Sequence, residues 1–445
     1  MPIKLNKGLN LQIAGASQAK LGGSVAVGCC ALVPDDFSGF QARPAVKEGD
    51  HLAVGDAVAY DKLHPELKLV SPVAGTLKSI VRGERRKILR FEIEADGSDN
   101  VKTATVPQNP DCAKAMALLA ESGLLAFVRT RPYDIVPDPT VVPRDIFVSC
   151  IDSAPLAVSA VALTAGEASD SIKKGVKLLK AATAGKVYLC VGKDWPYGKI
   201  EGAELVEFDG KHPVGNPSVQ IEAVAPVNKG DLVWTLSFDT LCRVGHFDAT
   251  GKFDPSTLVA VVGPEIKQPK VFKTIIGAPI EPLLNGNLLP DDHHIRIISG
   301  NVLTGEKVGL DGYLHFPYRQ ISVIAEGDDK DELLGWASLS PSKMSDSRSF
   351  PGHFLKKLFR PDARIQGGRR AMIMSGQYDK TIPMDIMPEF LIKAILSRDI
   401  EGMEKLGIYE VAPEDFALAE YVDTSKLPLQ KIVREGLDYL RKELQ

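Results

Sequence analysis

The chain has 445 residues, of which 44% are hydrophobic and 25% charged, and it carries a net charge of −4. That composition is ordinary for a globular protein, and the length predicts about three or four domains. The mild acidic balance excludes the basic excess of a nucleic-acid binder, and no stretch approaches the roughly 18 consecutive apolar residues of a membrane-spanning helix.

The opening MPIKLNKGLNLQIAG has lysines without a continuous apolar core behind them, so it does not read as a secretory signal. The chain is expected to be soluble, or peripheral to a membrane through partners. The first ~105 residues read as short strands between Gly and Asp turns. In VKEGDHLAVGDAVAYDKLHPELKLVSPVAGTLKSIVRGE the dipeptides Gly49-Asp50 and Gly55-Asp56 flank alternating Leu52, Val54 and Val58, and Ser71-Pro72 with Gly75-Thr76 makes a further tight turn. After Pro107 the pattern becomes α/β. Asp111 can cap a helix carrying Ala115, Met116, Leu118 and Leu119, and a strand follows at 145–151. Ser169 or Asp170 opens a helix with the stripe Ile172, Val176 and Leu179, Gly185 closes it, and KVYLCV is the next strand. This βαβ unit implies a parallel sheet. From about Pro255 the strands LVAVVGP, KVFKTIIGAPI and RIISGNVLTG alternate with Gly/Pro turns. Helices are expected at 384–396, 413–421 and 428–444, with Pro413 and Pro428 in first turns.

Cys29, Cys30, Cys112, Cys150, Cys190 and Cys242 show no C-x-x-C spacing and no nearby histidine pair, so an iron–sulfur cluster or structural zinc is not expected. His293-His294 would point to opposite faces of a strand and, after Asp291-Asp292, read as a polar loop rather than a metal site. His212, His246, His315 and His353 stand alone in sequence and read as structural, and no Ser-His-Asp or Cys-His grouping is visible. Arg369-Arg370 reads as a solvated face or a partner contact.

The turn-rich first segment resembles the biotinyl/lipoyl type of barrel-sandwich, on Val46–Asp56 and Ser71–Gly75. The place where such carriers hold their modified lysine, eight residues before Pro72, is His64. Covalent carriage is therefore not expected. The segments KLNKGLNLQIAG, ALVPDDFSGFQARPAVKEGD, FVRTRPYDIVPDP, DSAPLA, WASLSPSKMSDSRSF and GGRRAMIMSGQYDKTIPMDIMPEFLIKAIL together resemble the A subunits of bacterial sodium-translocating NADH:quinone reductases over nearly all 445 residues. Distant relatives of that family are the flavoprotein subunit of respiratory complex I and the C subunit of the Rnf complex.

The resemblance implies an α/β multidomain fold: a barrel-sandwich domain over 1–105, a Rossmann-like α/β domain over 106–254, a β-grasp domain over 255–328 and a helical C-terminal domain over 329–445. It implies a peripheral location on the cytoplasmic face of the inner membrane. Such a subunit is not catalytic alone. It works in a complex of six subunits, next to the B subunit, which is embedded in the membrane, and the C subunit. No redox centre is expected here; FMN, FAD, riboflavin and iron–sulfur centres belong to partner subunits. An alternative is a complex I-type NADH/FMN flavoprotein. Against it, the segment DSAPLAVSAVALTAGEASD after the strand at 145–151 has no G-x-G-x-x-G through which backbone amides could approach a phosphate, and the glycine pair at Gly367 follows no strand.

Quinone contact is the ligand role the resemblance implies. A quinone needs apolar walls and a few donors to its carbonyls. Phe37 and Phe40, in a turn-like segment expected to be exposed, and Phe127, Arg129, Arg131 and Tyr133, aromatics interleaved with cations, are the candidate residues. Packing between domains and ordinary ion pairs are the competing roles for the same side chains.

Overall fold

The computed structural model describes residues 2–164, 167–290, 294–328, 340–346, 348, 350–355 and 357–444. A four-stranded sheet, in the order Cys29–Leu32, Ile88–Ala95, Gly75–Arg82, His51–Leu52, faces a three-stranded sheet of Ala42–Pro44, Ala57–Asp61 and Lys68–Val70. Leu52, Val58, Leu77, Phe91 and Ile93 fill the space between them. The two Gly-Asp turns work alike. Gly49 and Gly55 adopt φ of 92° and 88°, and the following carboxylates, Asp50 and Asp56, accept from the backbone N–H groups of Lys47 and Ala53. His64 lies in the turn between Ala57–Asp61 and Lys68–Val70, its ring 3.5 Å from Asp138.

The second sheet has six strands, in the order Ile3–Lys4, Ala203–Asp209, Val187–Val191, Ile146–Ser149, Val233–Ser237, Arg129–Arg131. Only its last strand runs antiparallel. Asp111 caps helix Cys112–Glu121 by accepting from the Lys114 N–H, as the sequence predicts. Helix Ser169–Ala181 buries Ile172, Val176 and Leu179. Its N-cap is Ala168 rather than Ser169 or Asp170, and Asp170 instead sits in the first turn, where the helix dipole favours a negative charge. This helix crosses Phe238–Thr250 at two glycines. A Cβ on Gly245 would lie 1.7 Å from the Ser171 carbonyl oxygen, and one on Gly175 would lie 2.5 Å from that of Leu241. Because the obstacle is backbone, Gly245→Ala should force the helices apart and cost about 1–3 kcal/mol, outweighing alanine's better helix propensity. Equilibrium unfolding in urea would measure this.

The third sheet is mixed, in the order Glu306–Val308, Ile295–Ser299, Gln320–Ala325, Ser256–Val262, Lys270–Ile275, Leu21–Ser24. Helix Ile280–Leu284 packs on it through Ile280, Leu283 and Leu284. The first 24 residues therefore add an edge strand to each of the two larger sheets before the first β unit begins. Sequence pattern gave no sign of this, because two- and four-residue edge strands carry no period.

The C-terminal region is helical: Pro388–Ser397, Ile400–Lys405, Ala417–Val422 and Leu429–Leu444 surround Tyr378, Leu391, Phe416, Val433 and Leu437. The helix expected over 413–421 is split into a 3-10 turn, Pro413–Phe416, followed by Ala417–Val422. Among the described residues no helix is long and apolar enough to cross a membrane.

Candidate functional site

Asp35, Asp36 and Phe37 leave the first β unit in a 3-10 turn over Pro34–Asp36 and meet the loop that precedes strand Gln320–Ala325. One Asp36 oxygen lies 2.7 Å from His315 Nδ1, and the other accepts from the Phe316 N–H at 2.9 Å. These two bonds draw Phe316 over Phe37. The rings stack at 5.1 Å with an interplanar angle of 4°, and Phe127 meets both edge-on at 5.9 and 4.9 Å. Arg129 lies 5.2 Å over the Phe316 ring and donates to the Asp36 carbonyl at 2.7 Å, while Arg243 lies 5.1 Å over Phe127.

The two rings of the segment expected to be exposed are thus buried, Phe37 at 2% exposure and Phe40 at 9%, while Asp35 and Gly39 remain exposed. The turn is real, but it is sandwiched between two β units, and Asp36 accepts from a neighbouring backbone, whereas Asp35 stays exposed and pairs with Lys87. Of the six candidates, Phe37, Phe127 and Arg129 come together. Phe40 packs into the first β core. Arg131 points the other way, onto Asp134 and Glu414, and Tyr133 packs edge-on against Tyr409 of the C-terminal region.

His315, read as an isolated structural histidine, and Phe316 belong to the cluster; 279 residues separate His315 from Asp36. Burial would lower the imidazole pKa, but the Asp36 hydrogen bond and charge, with Glu306 beyond, raise it overall. Burial raises the Asp36 carboxyl in turn, against the pull of His315, the Phe316 N–H and Arg129. With both shifted upward, the pair retains a proton above the ordinary range of each member. It opens onto a cleft of about 390 Å³ lined by Asp35, Arg90, Glu306, Asp311 and Tyr313 among others. Burial, then Cys29, pushes the Tyr313 hydroxyl up to about 12, so it stays a donor at neutral pH. With Nδ1 engaged by Asp36, Nε2 of His315 is the nitrogen left for a ligand.

A doubly wound sheet binds ligands at its topological switch point, here beyond the carboxyl ends of Ile146–Ser149 and Val233–Ser237. Arg319, from the third sheet, fills that crevice. Its guanidinium pairs with Asp152 and, at 3.2 Å, with Asp239, and the second Asp152 oxygen accepts from the Ala160 N–H at 2.7 Å. Of the other residues singled out, His294 pairs with Asp328 at 2.9 Å, whereas Asp291, Asp292 and His293 lie outside the described residues. Among the described residues no cluster of three or more His, Cys, Asp or Glu side chains is arranged to hold a metal ion.

Comparison with known proteins gives three family matches along the chain. They are the NqrA N-terminal barrel-sandwich hybrid domain over residues 3–96, the NqrA second alpha/beta domain over 111–253 and the NQRA C-terminal domain over 258–309. The A subunit of the Na(+)-translocating NADH-quinone reductase from Neisseria meningitidis serogroup C is 34% identical over 99% of this chain and 100% of its own length. That of Serratia proteamaculans is 35% identical with the same coverage. Among solved structures, an NAD+-reducing nickel–iron hydrogenase in its air-oxidized state is similar at 12% identity and a TM-score of 0.39, over 76% of this chain and 63% of that one, a likeness too distant to carry any argument. The relatives match over their full length, so this chain belongs to the family of Na(+)-translocating NADH-quinone reductase A subunits.

Proposed function

We propose that this chain is a peripheral subunit of a sodium-translocating NADH:quinone reductase, which couples NADH oxidation and quinone reduction to sodium export, and that it helps to bind the quinone and to assemble the complex. In this reading it sits at the cytoplasmic face of the inner membrane against the B and C subunits. It holds no redox centre of its own, and electrons come from flavin and iron–sulfur groups in its partners. The same reading divides the chain into barrel-sandwich (1–105), Rossmann-like (106–254), β-grasp (255–328) and helical (329–445) domains, with the first 24 residues lacing the second and third together.

The observation that carries the quinone role is the Asp36–His315 pair at the edge of a cleft whose apolar lining is Val33, Leu89 and Val308, with the stacked Phe37 and Phe316 rings holding the pair from behind. Nε2 of His315 and the Tyr313 hydroxyl are donors for a quinone carbonyl, and a raised imidazole pKa favours the oxygen as it gains charge. Phe40, Arg131 and Tyr133 become supports of the surrounding packing rather than ligand contacts. The flavoprotein alternative is disfavoured because the crevice a nucleotide would need holds Arg319.

The test is made in the assembled complex. His315→Ala and Tyr313→Phe should raise the quinone KM by about one to two decades for a lost charge-assisted bond and less for the neutral one, while NADH oxidation by an acceptor that bypasses quinone is retained. A photoreactive quinone should label peptides spanning 29–40 and 306–316. Equal loss of both activities would mean that the pair serves assembly, and unchanged kinetics would remove the cleft from consideration. The isolated chain should be colourless, and micromolar binding of FMN or NADH by calorimetry would contradict this reading.

A further inference from the structure

Residues 340–374 hold eight Lys and Arg against two Asp, a charge of +6 in a chain whose total is −4, which leaves −10 for the rest. Within this segment Phe359 turns inward and is fixed by two backbone bonds of 2.8 Å, from its N–H to the Gln12 carbonyl and from the Ala14 N–H to its own carbonyl. Farther along, the Arg370 N–H donates to the Ser425 carbonyl at 3.0 Å. The chain between these anchors and just before them points large apolar side chains outward: Phe354 is 69% exposed, Leu358 61% and Ile365 55%. Lys357, Arg369 and Arg370 are exposed beside them. Arg360 and Arg364 are already paired with Glu265 and Asp362.

We propose that this segment is a docking surface for an anionic phospholipid bilayer, with Phe354, Leu358 and Ile365 entering the headgroup region and Lys357, Arg369 and Arg370 meeting lipid phosphates. Charge complementarity selects that occupant. An anionic leaflet attracts the exposed cations of this basic segment and repels the net negative charge of the rest of the chain, so the field both binds the chain and orients it. Apolar side chains interleaved with long cations suit an interface in which the rings and branched chains sink while the ammonium and guanidinium groups stay in the headgroup layer. The surface is separate from the quinone cleft, so the two readings stand or fall independently.

Co-sedimentation of the full chain with vesicles is the test, using phosphatidylcholine alone and phosphatidylcholine mixed with phosphatidylglycerol, at low and at high salt. Binding should need the anionic lipid and weaken as salt screens it. Each cation removed should reduce partitioning about fivefold, so Lys357→Gln combined with Arg369→Gln should lose about 25-fold. Phe354→Ser with Leu358→Ser should weaken the binding that survives high salt. These side chains are exposed, so all variants should unfold at the wild-type temperature. A full chain that ignores anionic vesicles, or that binds equally after both pairs of substitutions, overturns the proposal. Retention of the chain by an acidic partner protein but not by vesicles would overturn it in favour of a protein contact.

Discussion

Arg131→Met should cost about 1–3 kcal/mol of folding stability, the usual effect of taking the buried partner away from charged hydrogen bonds whose carboxylates keep some access to water. Arg131 is 2% exposed. Its guanidinium pairs with Asp134, reaches Glu414 at 3.2 Å and donates to Ser218 Oγ at 3.3 Å. Asp415, 1% exposed, adjoins this group and accepts from Asn216 at 3.0 Å and from the Ala412 N–H at 2.8 Å. One side chain on the edge strand of the parallel sheet thus neutralises carboxylates presented by the C-terminal region, and Arg434 closes the same seam by donating to the carbonyls of Tyr133 and Asp134. Methionine keeps most of the stem's packing, so the loss reports the charge. Arg131→Lys should restore little, because an ammonium cannot reproduce the fork. Burial, followed by Asp415, already raises the Glu414 carboxyl, and burial raises Asp415. A carboxyl raised by folding favours the protonated native state, and that stability is lost as pH rises through its folded pKa. The methionine variant, with less positive charge to hold these carboxylates ionised, should therefore recover part of its loss on mild acidification. Urea unfolding at neutral and mildly acidic pH measures both effects. A variant of wild-type stability with a raised quinone KM would return Arg131 to the ligand site.

Much of the local structure was legible because it depends on neighbours in sequence. The Asp111 cap, the paired Gly-Asp turns and the stripe of Ile172, Val176 and Leu179 each need only a few consecutive residues, and each is where the pattern puts it. The candidate site was half legible. Phe37, Phe127 and Arg129 stand in conspicuous aromatic and cationic runs, whereas His315 and Phe316 lie in an unremarkable loop and acquire their place only when Asp36 bonds to them from the first β unit. An acidic residue beside an apolar ring is equally consistent with an exposed turn and with a cap on a distant backbone. Burial decides between these, and burial is a property of the fold. Arg131 shows the same limit: in the run FVRTRPY only Arg129–Arg131 is strand, and the ion pairs of Arg131 with Asp134 and Glu414, one of the two roles its residue type allows, depend on how the C-terminal region docks. The carboxylates that claim Arg131 come partly from residues 283 and more positions away.

A second large pH dependence should come from His212. The ring is 6% exposed, and burial lowers its pKa from 6.5 to about 4. Ser153 Oγ accepts from the Gly215 N–H at 2.9 Å and stands 3.0 Å from Nδ1, so its hydroxyl proton is free to point at the ring. Neutral imidazole then carries its hydrogen on Nε2, which is buried without a hydrogen-bond partner among the described residues. Protonation would place a second hydrogen against the serine and a charge that, among the described residues, no carboxylate pairs with. The native state therefore holds the neutral form, whereas the unfolded chain takes up a proton below its ordinary pKa. The sign follows: this contribution is complete above about pH 6.5 and is lost as pH falls toward 4, at about 1.36 kcal/mol per pH unit, or roughly 3 kcal/mol in all. The same residue ties the N-terminal strap to the parallel sheet, since its N–H donates to Asn10 at 2.9 Å and its carbonyl accepts from the Leu9 N–H at 2.8 Å. Acid should accordingly loosen residues 8–10 first, which amide exchange would register. In urea unfolding followed from pH 7 to 4, His212→Asn should be less stable than wild type at neutral pH but should lose stability more slowly on acidification, by about one proton's slope. Parallel curves for the two proteins would show that His212 titrates alike in the folded and unfolded chain, and the buried neutral imidazole would have to be abandoned.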